Sequence, residues 1–146
     1  LAVVIDLFSR RVVGHAMSTE QDGGLVLAAL AHAIRSRGEP RNVVVHSDRG
    51  GIYGAGEYIG KATAHGLRRS MSRTGNPWDN AVVESFFSTL TQELLNRERY
   101  GDPQQAQRSI AEWIDGFYNP QRRHTTIKNM SPIRYELACE MRKRRT

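Results

Sequence analysis

The order of apolar and polar positions changes period along the chain, and the changes separate strands from helices. Residues 1–8, with Val3, Val4 and Ile5 consecutive, read as an apolar strand. Ser9, Arg10 and Arg11 make a turn, and residues 12–17 run back, giving a hairpin. Residues 18–22 open a helix in which Val26 or Leu27, Leu30 and Ile34 recur on one face, with Arg35 and Arg37 near its end and Gly38 beyond. After the Gly38-Glu39-Pro40 loop, Val43-Val44-Val45 is a β-branched run that reads as a buried strand. Residues 54–66 predict another helix, carried by Tyr58, Ile59 and Ala62, but Gly54, Gly56 and Gly60 weaken it and predict irregular ends. Residues 67–71 predict a short edge strand.

The most deliberate helix start follows. Asn76 is placed to accept from the open N–H groups of a first turn, and Pro77 has no N–H to lose. Val83, Phe86, Phe87, Leu90 and Leu94 then recur as a core-facing stripe to a helix end near Arg97 or Arg99. Beside that stripe Asn80, Glu84, Ser88 and Thr91 share a polar face. Glu84 at its edge is either a solvated surface charge or a placed ligand. Asp102-Pro103 starts a further helix with Ala106, Ile110, Trp113, Ile114 and Phe117 as its buried stripe, ended by Tyr118-Asn119-Pro120. Trp78 and Trp113 read as core residues. Ser131-Pro132 begins a last short helix with Ile133, Tyr135 and Leu137 available for packing, and the basic residues 141–145 read as a frayed, solvated tail. Hairpin, helix, strand, helix, strand, helix, helix predicts an α/β fold, a mixed sheet flanked by helices on both faces.

At 146 residues and 39% apolar, one domain with a real core is expected. The net charge is +6, and all basic residues except Lys61, Lys128 and Lys143 are Arg. That balance argues for a polyanionic partner, since the planar guanidinium suits phosphate; an arginine-rich proteome with no such role is the alternative. The single cysteine, Cys139, excludes an internal disulfide framework and a cysteine-based zinc site. No apolar run reaches membrane-span length and no signal-peptide layout opens the chain, which predicts a cytoplasmic protein with no membrane partner.

A second carboxylate gives Glu84 a context. Asp48, in His46-Ser47-Asp48-Arg49-Gly50-Gly51, falls at the carboxyl end of the Val43 strand, where open α/β sheets place ligands. Between Asp48 and Glu84 lie 35 residues. With the segments His46 to Tyr53 and Ser70 to Ala81, this spacing resembles the DDE transposases and retroviral integrases, and in particular the catalytic subunit of bacterial insertion-sequence transposases with an integrase core. The resemblance spans nearly the whole chain. It implies an RNase H-like fold apparently lacking its first strand, and a truncated catalytic core over residues 1–146 with 118–146 as a basic C-terminal extension.

In-line phosphodiester chemistry needs the attacking and leaving oxygens neutralised together, and Mg²⁺ prefers carboxylate oxygens while keeping several waters. The resemblance makes Asp48 and Glu84 the catalytic metal ligands, for Mg²⁺ or Mn²⁺. It aligns the Asp6-x-x-Ser9-Arg10 segment with the family's second strand, so the first catalytic Asp is expected upstream of Leu1, with substitution by Asp6 as the alternative. Whether this chain is itself an enzyme is left open. Thr91 stands where the family often has Lys. Arg122, Arg123 and His124, with Tyr118 and Asn119, match the family's Tyr-Asn-x-x-Arg-x-His segment; they are candidate DNA contacts or a solvated turn. Arg49 and Arg73 flank the two catalytic segments as candidate phosphate clamps. His46 is read as structural or orienting, His15, His32 and His65 as incidental, and Asn76, Asp79 and Asn80 as mainly structural. The expected partners are DNA, further copies of the chain, and a separate helix-turn-helix region or subunit. The rival readings are an RNase H-like nuclease and a non-catalytic DNA-binding or oligomerisation remnant.

Overall fold

The computed structural model describes residues 1–20, 22–73 and 80–144, and its contacts divide the chain into two units. One comprises Leu1–Val4 and Val13–Thr89, the other Ile5–Val12 and Leu90–Thr146. The elements, in order, are β1 (Ala2–Ile5), β2 (Val12–Ala16), α1 (Gly23–Ser36), β3 (Val44–Ser47), α2 (Gly51–Gly54), α3 (Gly56–Ala64), β4 (Arg68–Met71), α4 (Ala81–Leu90), α5 (Pro103–Glu112) and α6 (Pro132–Lys143). β1 pairs with β2, and β3 with β4. The second pair is parallel, with Val44 opposite Arg68 and His46 opposite Ser70. Among the described residues no helix is long and apolar enough to cross a membrane.

In the first unit α1 begins where a side chain replaces a missing backbone partner: Asp22 accepts from the Leu25 N–H at 3.0 Å. It ends at Gly38, whose φ of +65° suits a residue without Cβ. There Gly38 N–H donates to the Arg35 carbonyl and Glu39 N–H to that of Ile34, closing the last turn. α3 ends in the same way at Gly66. α1 lies unusually close to β2 because a Cβ on Gly14 would stand 2.4 Å from the Ala29 carbonyl oxygen and 2.6 Å from the Ala33 nitrogen. On either side of Gly14, α1 grips the strand's backbone. Ser36 Oγ donates to the Val13 carbonyl, and His32 Nδ1 lies within 3.2 Å of the His15 nitrogen and 3.1 Å of its oxygen. His15 and His32 thus work as packing groups. Leu30, Ile34 and Tyr58 form a buried cluster, with Val26, Leu27, Val45, Tyr53 and Leu67 against it.

One expectation for this unit is corrected. Val43 and Val44 are 48% and 53% exposed, while Val45 packs against the Leu30 cluster; among the described residues β3 has a strand neighbour on one side, β4. The weak helix expected over residues 54–66 is α3, and a separate short helix, α2, precedes it across Ala55, whose ψ is 143°.

In the second unit the carboxylate of Asp6 closes the hairpin turn, Oδ1 accepting from the N–H groups of Phe8 at 2.8 Å and Ser9 at 3.2 Å. Buried Ser9 donates its hydroxyl to Glu136 at 2.7 Å, and Arg11 pairs with the other oxygen of Glu136 at 2.8 Å. Asn119, also buried, spans Val12 as a strand partner would: its Oδ1 accepts from Val12 N–H and its Nδ2 donates to Val12 C=O, at 2.9 and 3.0 Å. α5 starts at Asp102, which accepts from the Gln105 N–H at 2.7 Å, with Pro103 behind it.

Both long helices change winding before they end. α4 continues as a π-helical turn over Thr91–Leu95, and α5 as one over Trp113–Tyr118. A π turn takes more residues than an α turn, so a stripe counted at 3.6 residues slips sideways. Hence Phe117, expected in the buried stripe, is 40% exposed while Tyr118 is 3% exposed. Phe87 and Leu137 are likewise exposed where packing was expected. The expected frayed tail is instead helical to Lys143, and Arg142 and Lys143 in the last turn suit the negative end of the helix dipole. Asn76, Pro77, Trp78, Asp79 and Arg145 lie outside the described residues.

Candidate functional site

Asp48 follows the last residue of β3, and the turn after it is shaped around its carboxylate. Oδ1 accepts from the Gly50 N–H at 2.8 Å, and a Cβ on Gly50 would come within 2.9 Å of that oxygen. A side chain at position 50 would push that oxygen aside, the φ of −55° itself being open to any residue. Tyr53 N–H donates to the Gly50 carbonyl at 3.0 Å. Burial, and then the negative charge of Asp48, push the Tyr53 hydroxyl above its ordinary pKa. Asp48 is solvent-exposed.

Glu84 occupies the first turn of α4 and is also exposed, with Phe86 buried next to it. The segment between the two acids is tied together by Ser72, just after β4. The Ser72 N–H donates to the Ser47 carbonyl at 2.9 Å, and its carbonyl accepts from Arg49 Nε at 2.8 Å. Its hydroxyl lies 2.9 Å from Asn80 Oδ1, 3.1 Å from His46 Nε2 and 3.3 Å from the Ser47 carbonyl. The other ring nitrogen of His46 lies 3.0 Å from Ser70 Oγ. His46 therefore has an orienting role, one nitrogen on each of two serines. Asn80 is four residues before Glu84, about one helical turn. The residues flanking Asp48 and the start of the Glu84 helix thus meet at one serine.

Sequence reading missed Ser72. The signal was the alternation Ser70-Met71-Ser72, which puts both hydroxyls on one face of a strand; only the parallel register aligns that face with His46.

The remaining candidates fall in different settings. Arg49 and Arg73 are exposed beside the Asp48 turn and just after Ser72, Arg49 with its Nε on Ser72. Asp6 is committed to its turn, in the other unit from Asp48 and Glu84. Thr91 is exposed and opens the π turn.

The Tyr-Asn-x-x-Arg-x-His segment builds the second unit. Arg122 grips Glu93 with both its Nε and Nη2, at 2.9 and 2.7 Å, and its guanidinium carbon lies 6.0 Å from the centre of the Tyr118 ring. Burial pushes the Tyr118 hydroxyl up to about 12. The half-buried His124 packs edge-on against that ring at 5.0 Å, and its backbone N–H donates to the Met130 carbonyl at 3.0 Å. Burial, then the charges of Arg122 and Arg10, bring its imidazole down to about 4, against a smaller opposing effect of Glu93. Arg123 is exposed. A solvated turn is therefore the wrong description of this segment: within it Gln121 and Arg123 are exposed, and the rest is buried or part-buried.

Among the described residues no group of three or more His, Cys, Asp or Glu side chains is arranged to hold a metal ion. Asp48 and Glu84 offer two carboxylates of the hard-oxygen kind that Mg²⁺ prefers.

A profile described as an integrase core domain matches residues 1–77, and a second of the same description matches residues 65–132. The transposase InsF for insertion sequence IS3A of Escherichia coli (strain K12) is 42% identical over 136 residues, covering 93% of this chain and 47% of the relative. The transposase for insertion sequence element IS904 of Lactococcus lactis subsp. lactis (strain IL1403) is 37% identical over 136 residues, covering 93% of this chain and 54% of the relative. The chain thus spans about half the length of the curated relatives it matches. Among solved structures, a chain of the simian T-cell lymphotropic virus intasome in complex with PP2A regulatory subunit B56 gamma matches with a TM-score of 0.68 at 18% identity, over 91% of this chain and 46% of that one. At that identity the likeness speaks for fold, and the fold is the RNase H-like one. With insertion-sequence transposases among its relatives, the chain belongs to the integrase core domain family.

Proposed function

We propose that this chain is the DNA-acting core of an insertion-sequence transposase and that Asp48 and Glu84 are its ligands for Mg²⁺, or Mn²⁺ in its place. The observation that carries the reading is the Ser72 junction, which ties the residues around Asp48 to the helix start before Glu84. Both carboxylates are open to solvent, as ligands of an ion shared with a DNA phosphate must be. Two carboxylates suit Mg²⁺, which commonly takes one or two with waters and substrate oxygens completing its shell. Bound there, the ion would neutralise charge on the attacking and leaving oxygens of a phosphodiester.

The chain's own residues supply position. Gly50 N–H fixes one oxygen of the exposed Asp48 carboxylate. Arg49 and Arg73 flank the acids as phosphate clamps, and Arg123 adds a DNA contact from the second unit. Arg122 and His124 support that contact by holding the backbone on either side of it, against Glu93 and Tyr118. Asp6, spent on a turn, is not among the proposed ligands. The partners are DNA, other copies of the chain and a helix-turn-helix region outside these residues, in the cytoplasm.

The test is Mn²⁺ titration followed by water-proton relaxation, with duplex DNA binding measured in parallel. Asp48→Asn and Glu84→Gln are each expected to weaken Mn²⁺ binding at least tenfold. Arg123→Ala should weaken DNA binding and lower its salt slope by about one. Mn²⁺ affinity unchanged in both carboxylate variants would sink the reading.

A further inference from the structure

We infer that Ser72 is a positioning residue that sets the placement of Asp48 relative to Glu84, an inference that rests on these two acids being the metal ligands. Ser72 is only 5% exposed, so its polar atoms need protein partners. Among the described residues, these partners lie on two segments. Its N–H and C=O are taken by Ser47 and Arg49, the residues on either side of Asp48. Its hydroxyl reaches His46 and Asn80 as well as Ser47.

The proton count gives this arrangement a direction. A hydroxyl donates one hydrogen and accepts at its lone pairs. The shorter contact, 2.9 Å, is to Asn80 Oδ1, so Ser72 donates there and accepts from His46 Nε2–H at 3.1 Å. His46 Nδ1 is then the acceptor for the Ser70 hydroxyl. The result is one directed chain, Ser70 to His46 to Ser72 to Asn80, running from β4 through β3 to the start of α4. If the Asn80 amide is turned over, it donates to Ser72 and Ser72 donates to the Ser47 carbonyl at 3.3 Å. Both orientations keep the same two segments joined.

The hydroxyl and the backbone of Ser72 have separable duties. The backbone bonds to Ser47 and Arg49 hold β4 beside β3 and need no side chain. Among the described residues, it is the hydroxyl that joins that pair to Asn80. Removing it frees the Glu84 helix start from the Asp48 turn while leaving the strand pairing in place. Groups that hydrogen-bond metal ligands directly are worth about 10–100-fold in metal affinity; Ser72, bonded to the residues beside Asp48 and before Glu84, belongs at the lower end of that range.

The experiment compares the unmodified chain with Ser72→Ala, Asn80→Ala and the double variant, using Mn²⁺ alone as the probe, with Asp48→Asn and Glu84→Gln as references. Thermal melting without metal is recorded for each. Ser72→Ala and Asn80→Ala should each weaken Mn²⁺ binding about tenfold, with melting temperatures within a few degrees of the parent. The double variant should lose little more than either single one, because both cut the same tie. A merely structural serine would lower the melting temperature and leave Mn²⁺ affinity alone. Parent-like Mn²⁺ affinity in Ser72→Ala and Asn80→Ala, with weakened binding in the Asp48 and Glu84 variants, overturns the inference and leaves the ligand assignment standing. Fully additive losses in the double variant also overturn it. Parent-like affinity in the Asp48 and Glu84 variants overturns both. Should Ser72→Ala fail to fold, Asn80→Ala, which leaves both strands untouched, decides.

Discussion

At the scale of single residues, the same side chains that spell a family signature also build the turn or joint they stand in. Asp6 and Ser9 of the Asp-x-x-Ser-Arg segment close a hairpin and anchor Glu136. Asn119, Arg122 and His124 of the later segment secure Val12, Glu93 and Tyr118. His124 carries a consequence for acid stability. Its imidazole titrates near 4 in the folded chain and near 6.5 when unfolded. Between those values the unfolded state holds a proton that the folded state refuses, so stability falls as pH drops from about 6.5 to about 4 and this contribution is constant below. Melting temperatures of the parent and of His124→Gln, measured across that range, should therefore converge as the pH is lowered. Curves that stay parallel would show that His124 is not refused its proton.

At the scale of elements, the closest fit is that of β2 against α1. Gly14→Ala would drive a methyl group into the backbone of Ala29 and Ala33. Neither strand nor helix can yield cheaply there, since Ser36 and His32 bind the strand on either side. The expected loss is about 1–3 kcal/mol, read as a lower urea midpoint with an unchanged slope. Much of this layer was legible beforehand. Asp22 and Gly38 mark the two ends of α1, Asp102-Pro103 marks the start of α5, and the Asp48 turn lies where the β-branched run ends. The misses share a cause, which is that local pattern does not encode what covers a segment. Val43 and Val44 are as apolar as any core strand, yet only the strand pairing decides whether they are buried. Phe117 and Tyr118 exchange places because the winding widens, and no residue at Trp113 announces that. Ser72 escaped notice because its partners are set by strand register, a long-range property.

At the scale of the whole molecule, charge and fold agree on the kind of partner: a chain of net charge +6 with the RNase H-like fold of the integrase cores. The division into two units places both candidate acids in one and the exposed Arg123 in the other, so the proposed function predicts that metal binding and part of the DNA affinity are separable by mutation. Both described sheets stop at two strands. On β2 the outward groups are taken by Asn119, Ser36 and His32, but among the described residues β3 pairs with β4 alone, and its other edge runs beside two exposed valines, Val43 and Val44. Such a ledge is a template on which a neighbouring polypeptide can crystallise its own backbone, the first step toward cross-β aggregates. Val44→Lys should slow the growth of light scattering in concentrated samples on standing, and it should leave the melting temperature close to that of the parent.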